Sequence, residues 1–128
     1  VLDEVWRVCR PGATVEVRGP HYSSLHLVYG DPTHRRGLSS GTFSYFTPEG
    51  DWYGARARFR IESVALSVAG VDAPRSRAGW LPGPRAVFAG ILEKVVNRSP
   101  VWVQRAERYL VPFVSFAEIR VLLTVVKR

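Results

Sequence analysis

The chain has 128 residues, of which 46% are hydrophobic and 23% charged. This composition allows one small domain with a hydrophobic core but not two domains. No apolar run approaches the roughly 20 residues that cross a bilayer, and the start lacks a signal-peptide pattern, so we expect a cytoplasmic protein. A single cysteine, Cys9, excludes an internal disulfide and a multi-cysteine zinc site. The net charge of +7 comes mostly from arginine and would attract anions, although the arginines are scattered, as on an ordinary solvated surface.

The first nine residues have helical periodicity, with apolar residues at positions 1, 2, 5, 8 and 9 on one face. No capping residue precedes this helix and the chain contains no methionine, so we expect the sequence to begin part-way through a longer gene product. Arg10-Pro11-Gly12 ends the helix. Alternation of Ala13, Val15 and Val17 with polar residues then predicts a strand over residues 13–18. A helix, a Pro-Gly turn and a strand form half of a βαβ unit, which indicates an α/β fold.

Residues 21–54 are rich in Gly, Pro, Ser, His and aromatic residues and have no sustained period. Such a stretch is usually a functional loop, and one helical turn is expected over residues 40–46. Alternation next predicts a strand over residues 56–68, with Ala57, Phe59 and Ile61 on its apolar face. The phase of the pattern shifts near Ser63-Val64, which predicts a β-bulge.

The last part of the chain predicts two helices and a strand. A loop rich in Gly, Pro and Arg over residues 70–84 leads to an amphipathic helix over residues 85–97. Ser99-Pro100 has the pattern of an N-cap and a first helical residue, which predicts a helix to about residue 110. A long strand follows over residues 116–127. The residues expected to share one side of each helix are Val87, Phe88, Ile91, Leu92, Val95 and Val96 in the first, and Trp102, Arg105, Ala106, Tyr109 and Leu110 in the second.

The opening segment resembles a known family. Residues 2–13, with the sequence LDEVWRVCRPGA, are similar to the helix and Pro-Gly turn that lead into the fifth strand of class I (Rossmann-like) S-adenosylmethionine-dependent methyltransferases. Cys9 stands in place of the usual leucine and Ala13 in place of a second glycine. A narrower, methyltransferase type 11-like group continues with motifs resembling those at residues 20–24 (PHYSS), His26, residues 31–36 (DPTHRR) and an aromatic turn at residues 43–46. The resemblance covers nearly the whole chain and is loosest between residues 70 and 112.

The resemblance implies the C-terminal half of a Rossmann-like sheet, made of strands five, seven and six with flanking helices, in which six and seven are antiparallel. The chain has no Gly-x-Gly after a strand, so the half of the domain that binds S-adenosylmethionine is expected to lie outside it. We therefore expect residues 1–128 to be a single partial methyltransferase domain. Strand five would be an unpaired edge, and a missing N-terminal half or a partner chain would complete the domain.

Candidate site residues follow strand five. Because ligands in open α/β sheets bind beyond the carboxyl ends of the strands, the resemblance implies that His21 and Tyr22 line the substrate side of a cleft. A histidine there could act as a general base. The alternative is that Asp31 caps an Asp-Pro turn and His34 bonds to backbone. The full set of substrate-side candidates is His21, Tyr22, His26, Asp31, His34 and Arg35.

The sequence suggests two other binding chemistries, one on the histidines and one on a basic strand. Three histidines and Asp31 could ligate zinc or iron, but their spacing matches no closed zinc motif, so we predict no metal. Arg56, Arg58 and Arg60, after Trp52 and Tyr53, resemble a single-stranded nucleic-acid patch. An ordinary charged strand face is the favoured interpretation of that patch.

Two functions are therefore predicted. The first is the acceptor-side portion of a methyltransferase that does not bind its cofactor by itself. The second is a basic α/β module, without enzymatic activity, that binds nucleic acid or a protein partner. Methyl transfer from a sulfonium needs mainly the alignment of acceptor and methyl group. The sequence therefore does not specify the methyl acceptor.

Overall fold

The computed structural model describes residues 1–50, 54–68 and 84–127. Trp52, Tyr53 and nearly all of the predicted loop over residues 70–84 lie outside these ranges. The expected α/β class is confirmed at the level of a three-stranded antiparallel sheet with flanking helices. In the described ranges no helix combines the length and the apolar character needed to cross a membrane. The elements in chain order are α1 (Leu2–Val8), β1 (Thr14–Pro20), α2 (Leu25–Gly30), α3 (Ser40–Ser44), β2 (Phe59–Val68), α4 (Pro84–Val96), α5 (Pro100–Tyr109) and β3 (Phe116–Val125).

The last strand lies in the middle of the sheet. The spatial order is β1–β3–β2, and β3 is antiparallel to both neighbours, so β1 and β2 run in the same direction. Val121 of β3 faces Val17 of β1 on one side and Val64 of β2 on the other. Within the described residues, the outer edge of β1 pairs with no strand.

One face of the sheet forms the core. Alternate residues of β3, including Ile119, Val121 and Leu123, are almost completely buried, as the period of two requires. Phe59 and Leu66 of β2 are buried against them. Helices α4 and α5 both pack on β2 and on each other, and contribute the buried residues Ala89, Val96, Val103 and Ala106.

The predicted bulge in β2 is confirmed. The pairing register shifts between Ile61, opposite Leu123, and Ser63, opposite Leu122. Between these two pairs β2 has one more residue than β3. This extra residue changes the alternation of side chains, so Phe59 before the bulge and Val64 after it both lie in the core. The apolar pattern of the sequence therefore changes phase while the strand keeps one buried face.

Helix α5 begins as predicted, but the face that it buries differs from the expected one. The Ser99 side chain accepts a hydrogen bond from the Trp102 backbone N–H at 3.5 Å, and Pro100 occupies the first helical position. Trp102 and Tyr109, which were expected to share a side with Ala106, are exposed, whereas Ala106 and Val103 are buried. The helix is turned this way because an acidic residue on the same side as Val103 is drawn into a buried hydrogen-bond network, described below.

Helix α4 also differs from its predicted orientation, because polar side chains attach it to the edge of β2. The Asn97 amide, just after the helix, accepts from the Leu66 backbone N–H at 2.8 Å and donates to the Leu66 carbonyl at 2.9 Å. Glu93 accepts from the Val68 backbone N–H at 2.6 Å. These contacts satisfy backbone groups on the outer edge of β2 and leave Phe88 and Ile91 exposed.

We predict that Asn97→Ala lowers the free energy of unfolding by about 1–3 kcal/mol, because both Leu66 backbone groups lose their partners. Urea unfolding followed by circular dichroism measures the change. Arg98→Ala, an exposed neighbour on the same turn, serves as the control and should be within about 0.5 kcal/mol of the wild type. Equal stability of the Asn97→Ala and Arg98→Ala variants would show that the Asn97 contacts do not stabilise the edge of β2.

Candidate functional site

The candidate site forms where β1 ends. His21, the first residue after β1, makes an isolated parallel bridge with Leu38. The Leu38 N–H donates to the Pro20 carbonyl at 2.8 Å, and the Tyr22 N–H donates to the Leu38 carbonyl at 3.0 Å. The segment before α3 is thereby held beside the end of the strand.

Only glycine allows this close approach at position 37. A Cβ at Gly37 would lie 2.5 Å from the Cα of Tyr22 and 2.9 Å from its backbone nitrogen. Both atoms belong to backbone and cannot move aside as a flexible side chain would. A larger residue at position 37 would therefore separate the two segments that form the site.

The His21 side chain is completely buried, and both its ring nitrogens have partners. Nδ1 accepts from the backbone N–H of Ser23 at 3.2 Å, and the Ser23 hydroxyl lies 2.7 Å away. Because a backbone N–H can only donate, Nδ1 carries no proton in this arrangement. The proton of the neutral ring is therefore on Nε2, which donates to Glu107 Oε1 at 3.1 Å.

Glu107 of α5 joins three parts of the chain. Besides His21, its Oε1 accepts from the Ser40 backbone N–H at 2.8 Å, and its Oε2 accepts from the Ser40 hydroxyl. Burial by itself raises the pKa of Glu107, but the hydrogen bonds from His21 and Ser40 outweigh burial and hold the pKa below its ordinary value. The carboxylate is thus ionised at neutral pH, and both of its oxygens already accept hydrogen bonds from His21 or Ser40. Instead of acting as a free base, Glu107 holds the end of β1, α3 and α5 together. We call Glu107 with its partners His21 and Ser40 the Glu107 clamp.

A cleft of about 580 Å³ opens above this clamp. The Tyr22 hydroxyl donates to the backbone carbonyl of Glu107 at 3.2 Å, and the Tyr22 ring is partly exposed. Burial, followed by the negative charge of Glu107, raises the pKa of Tyr22, so its phenol stays protonated. The cleft therefore combines a neutral hydroxyl with amide, hydroxyl and guanidinium groups, which suits a polar ligand. Its lining residues are Tyr22, Gly37, Ser39, Ser40, Gly41, Gln104, Glu107 and Arg108.

The six sequence candidates separate into two groups. Tyr22 lines the cleft, and His21 lies beneath it, where it contacts the clamp rather than solvent. The others belong to α2 and the turn after it. Asp31 Oδ1 accepts from the Thr33 N–H at 2.8 Å and from its hydroxyl at 2.6 Å, and these bonds lower the pKa of Asp31.

His34 completes that turn through its Nδ1, which lies 2.7 Å from the Leu27 carbonyl and 3.9 Å from an Asp31 carboxylate oxygen. His26 and Arg35 are exposed. This arrangement agrees with the alternative interpretation, in which Asp31 caps a turn and His34 bonds to backbone. Across the described ranges, no three His, Cys, Asp or Glu side chains come together in a way that could hold a metal ion.

The proposed nucleic-acid patch is only partly within the described structure. Arg58 is half-buried, and its guanidinium donates to the Ala55 carbonyl and, at 2.9 Å, to the Ala57 carbonyl. Arg56 and Arg60 are exposed. The aromatic residues that preceded them in the predicted patch lie outside the described ranges.

Glu107, Ser40, Gln104 and Arg108 did not emerge as site residues from the sequence. Glu107 and His21 are 86 positions apart, beyond the reach of any local pattern. One signal was available: Glu107 is an acid on the side of α5 that carries the buried residues Val103 and Ala106. A charged side chain at such a position needs a partner.

We predict that the Glu107 clamp makes stability depend on pH. A carboxylate whose folded-state pKa is depressed stabilises the fold above its unfolded-state value of 4.5, and that stabilisation is lost as the pH falls through the folded-state value. At pH 7, Glu107→Gln should therefore be less stable than the wild type by about 1–3 kcal/mol. The difference should shrink below a pH of about 4.5, when measured by urea unfolding across an acid series.

The exposed acid Glu62 on β2 provides the matched control for that measurement. The Glu62→Gln variant removes the same charge outside the clamp and should change stability by less than about 0.5 kcal/mol at pH 7. A Glu107→Gln difference that stays constant from neutral to acid pH would contradict the clamp.

Comparison of the chain with family models, with curated proteins and with solved structures found no match in any of the three.

Proposed function

We propose that the chain is the acceptor-side portion of a class I S-adenosylmethionine-dependent methyltransferase domain. The observation that carries the proposal is the order and direction of the strands. The resemblance implies strands five, seven and six side by side, with seven antiparallel to six. The spatial order β1–β3–β2, with the last strand between two parallel ones, has the arrangement that strands five, seven and six would have.

The two edges of the sheet support the same proposal. At the outer edge of β2, Asn97 and Glu93 occupy backbone groups of Leu66 and Val68 that a further strand would need. The outer edge of β1 has no strand partner within the described residues. Strands one to four would therefore add beside β1, the position that the resemblance implies for them.

The position of the cleft also favours the acceptor side. It lies beyond the end of β1, where ligands bind in open α/β sheets. Tyr22, Gln104 and Arg108 offer a hydroxyl, an amide and a guanidinium to a polar acceptor. The ionised Glu107 holds the segments that carry these groups, so its contribution is to align the acceptor, which is the main requirement of methyl transfer.

S-adenosylmethionine itself does not fit the residues of this chain. The sequence has no Gly-x-Gly that would let backbone approach the cofactor. The turn after β1 is filled by buried His21 and its bridge to Leu38. We therefore assign no step of the reaction to a cofactor held by these residues.

The alternative is a basic module that binds nucleic acid or a protein partner without catalysis. The exposure of Arg56, just before β2, and of Arg60, on β2, favours it. Single-stranded oligonucleotide binding at two salt concentrations tests this alternative, because phosphate contacts by these arginines must weaken as salt rises. An affinity that does not change with salt would contradict it.

Calorimetry with S-adenosylhomocysteine tests the methyltransferase proposal. We expect no binding by the 128-residue chain, but binding by a longer polypeptide that carries a strand, Gly-x-Gly and a helix upstream of residue 1. Hydrogen exchange provides a second readout, since amides on the outer edge of β1 should become protected only in the longer polypeptide. Absence of both binding and protection in that polypeptide would overturn the proposal.

A further inference from the structure

Helix α4 presents apolar side chains to solvent. Phe88 and Ile91 are 63% and 58% exposed, and Val87 beside them is also exposed. Spacings of three and four residues place these side chains on one side of the helix. The contacts of Asn97 and Glu93 with β2 keep this side turned away from the sheet.

Helix α5 presents an aromatic and basic side in the same way. Trp102 and Tyr109 are exposed, and Phe113, in the turn that follows the helix, is 86% exposed. The Arg105 guanidinium lies 5.7 Å from the centre of the Trp102 ring. The Arg108 guanidinium lies at the same distance from the Tyr109 ring. Large aromatic side chains are rarely left in solvent in this number without a binding role.

The charges of the two helices are sorted by sign. Residues 84–109 contain two acids, Glu93 and Glu107, and both accept hydrogen bonds from the body of the domain. Among the described side chains of this segment, the charged groups that are exposed are therefore all basic: Lys94, Arg98, Arg105 and Arg108.

We propose that the exposed side of α4 and α5 docks the domain on an anionic phospholipid bilayer. This α4–α5 surface consists of Val87, Phe88, Ile91, Lys94, Arg98, Trp102, Arg105, Arg108, Tyr109 and Phe113. Apolar and aromatic side chains beside lysine and arginine are the composition of helices that lie in the membrane interface. The helices, of 13 and 10 residues, would lie along the surface rather than cross it. Val87 and Ile91 gain from entering the acyl boundary, whereas nucleic acid offers these aliphatic side chains no matching surface.

The position of this surface argues against the missing strands as its occupant. Helices α4 and α5 pack on β2, whereas additional strands would join the sheet at β1, on the opposite edge. The segment also falls where the resemblance to methyltransferases is loosest. Docking to a bilayer does not depend on the methyltransferase proposal, and the two can fail separately.

Co-sedimentation of the full chain with vesicles tests this inference. We expect binding to phosphatidylcholine vesicles that contain about one-third phosphatidylserine, and binding at least about 10-fold weaker to pure phosphatidylcholine. Two double variants should each weaken the first interaction by roughly 10-fold or more. The variant Phe88→Ser with Ile91→Ser removes apolar side chains, and Lys94→Glu with Arg98→Glu reverses charge.

The matched control is Arg56→Glu with Arg60→Glu, which changes the net charge equally on two exposed residues, one just before β2 and one on it. This variant should bind anionic vesicles within about twofold of the wild type, because its substitutions lie outside the α4–α5 surface. All variants replace exposed side chains, and circular dichroism checks that each is folded.

Two outcomes would overturn the inference. The first is no binding to anionic vesicles by the wild type, and the second is equal weakening by the control variant of Arg56 and Arg60. In the first case, the helix variants are also tested for oligonucleotide binding and for self-association by analytical ultracentrifugation, and one of these interactions could be abolished by them. That result would assign the surface to nucleic acid or to a second copy of the chain.

Discussion

Both outer strands pair with β3 and with no other described strand, so the placement of β3 between them governs where the remaining elements lie. A strand buried between two neighbours must be apolar on alternate residues, and Ile119, Val121 and Leu123 meet this requirement. Because β3 is the last element, the chain passes through α4 and α5 between β2 and β3, and both helices pack on β2.

The Glu107 carboxylate has a comparable role at the end of β1. A half-buried charge is costly unless it is paired, and here His21 and Ser40 supply the hydrogen bonds that offset the cost. The same contacts turn Val103 into the core and leave Trp102 outside. One ionised group thus supports the cleft and sets which side of α5 faces solvent.

The two edges of the sheet differ in a way that separates two proposed functions. The side chains of Glu93 and Asn97 accept hydrogen bonds from backbone groups at the outer edge of β2. The apolar side of α4 faces away from the sheet and is exposed. The edge of β1 pairs with no described strand. Completion of a methyltransferase domain would use the β1 edge, and docking to a bilayer would use the helices on β2.

The sequence by itself determined most of the local elements, although not α2, which lies in a stretch without a sustained period. Alternation located the strands and the bulge after Ile61, and turn chemistry located the Ser99 cap and the bonds of Asp31. These features depend on residues a few positions apart, so a local pattern contains them. The family resemblance implied the position of the cleft at the end of β1, and of its lining residues only Tyr22 was named in advance.

The tertiary structure decided which sides of α4 and α5 are buried and brought Glu107 to His21. Both helices have apolar residues around more than one side, so periodicity cannot select the buried side. Polar anchors select it instead: Glu93 and Asn97 for α4, and Glu107 for α5. Their partners lie 25 to 86 positions away in the chain, and they come within bonding distance only when the sheet has formed.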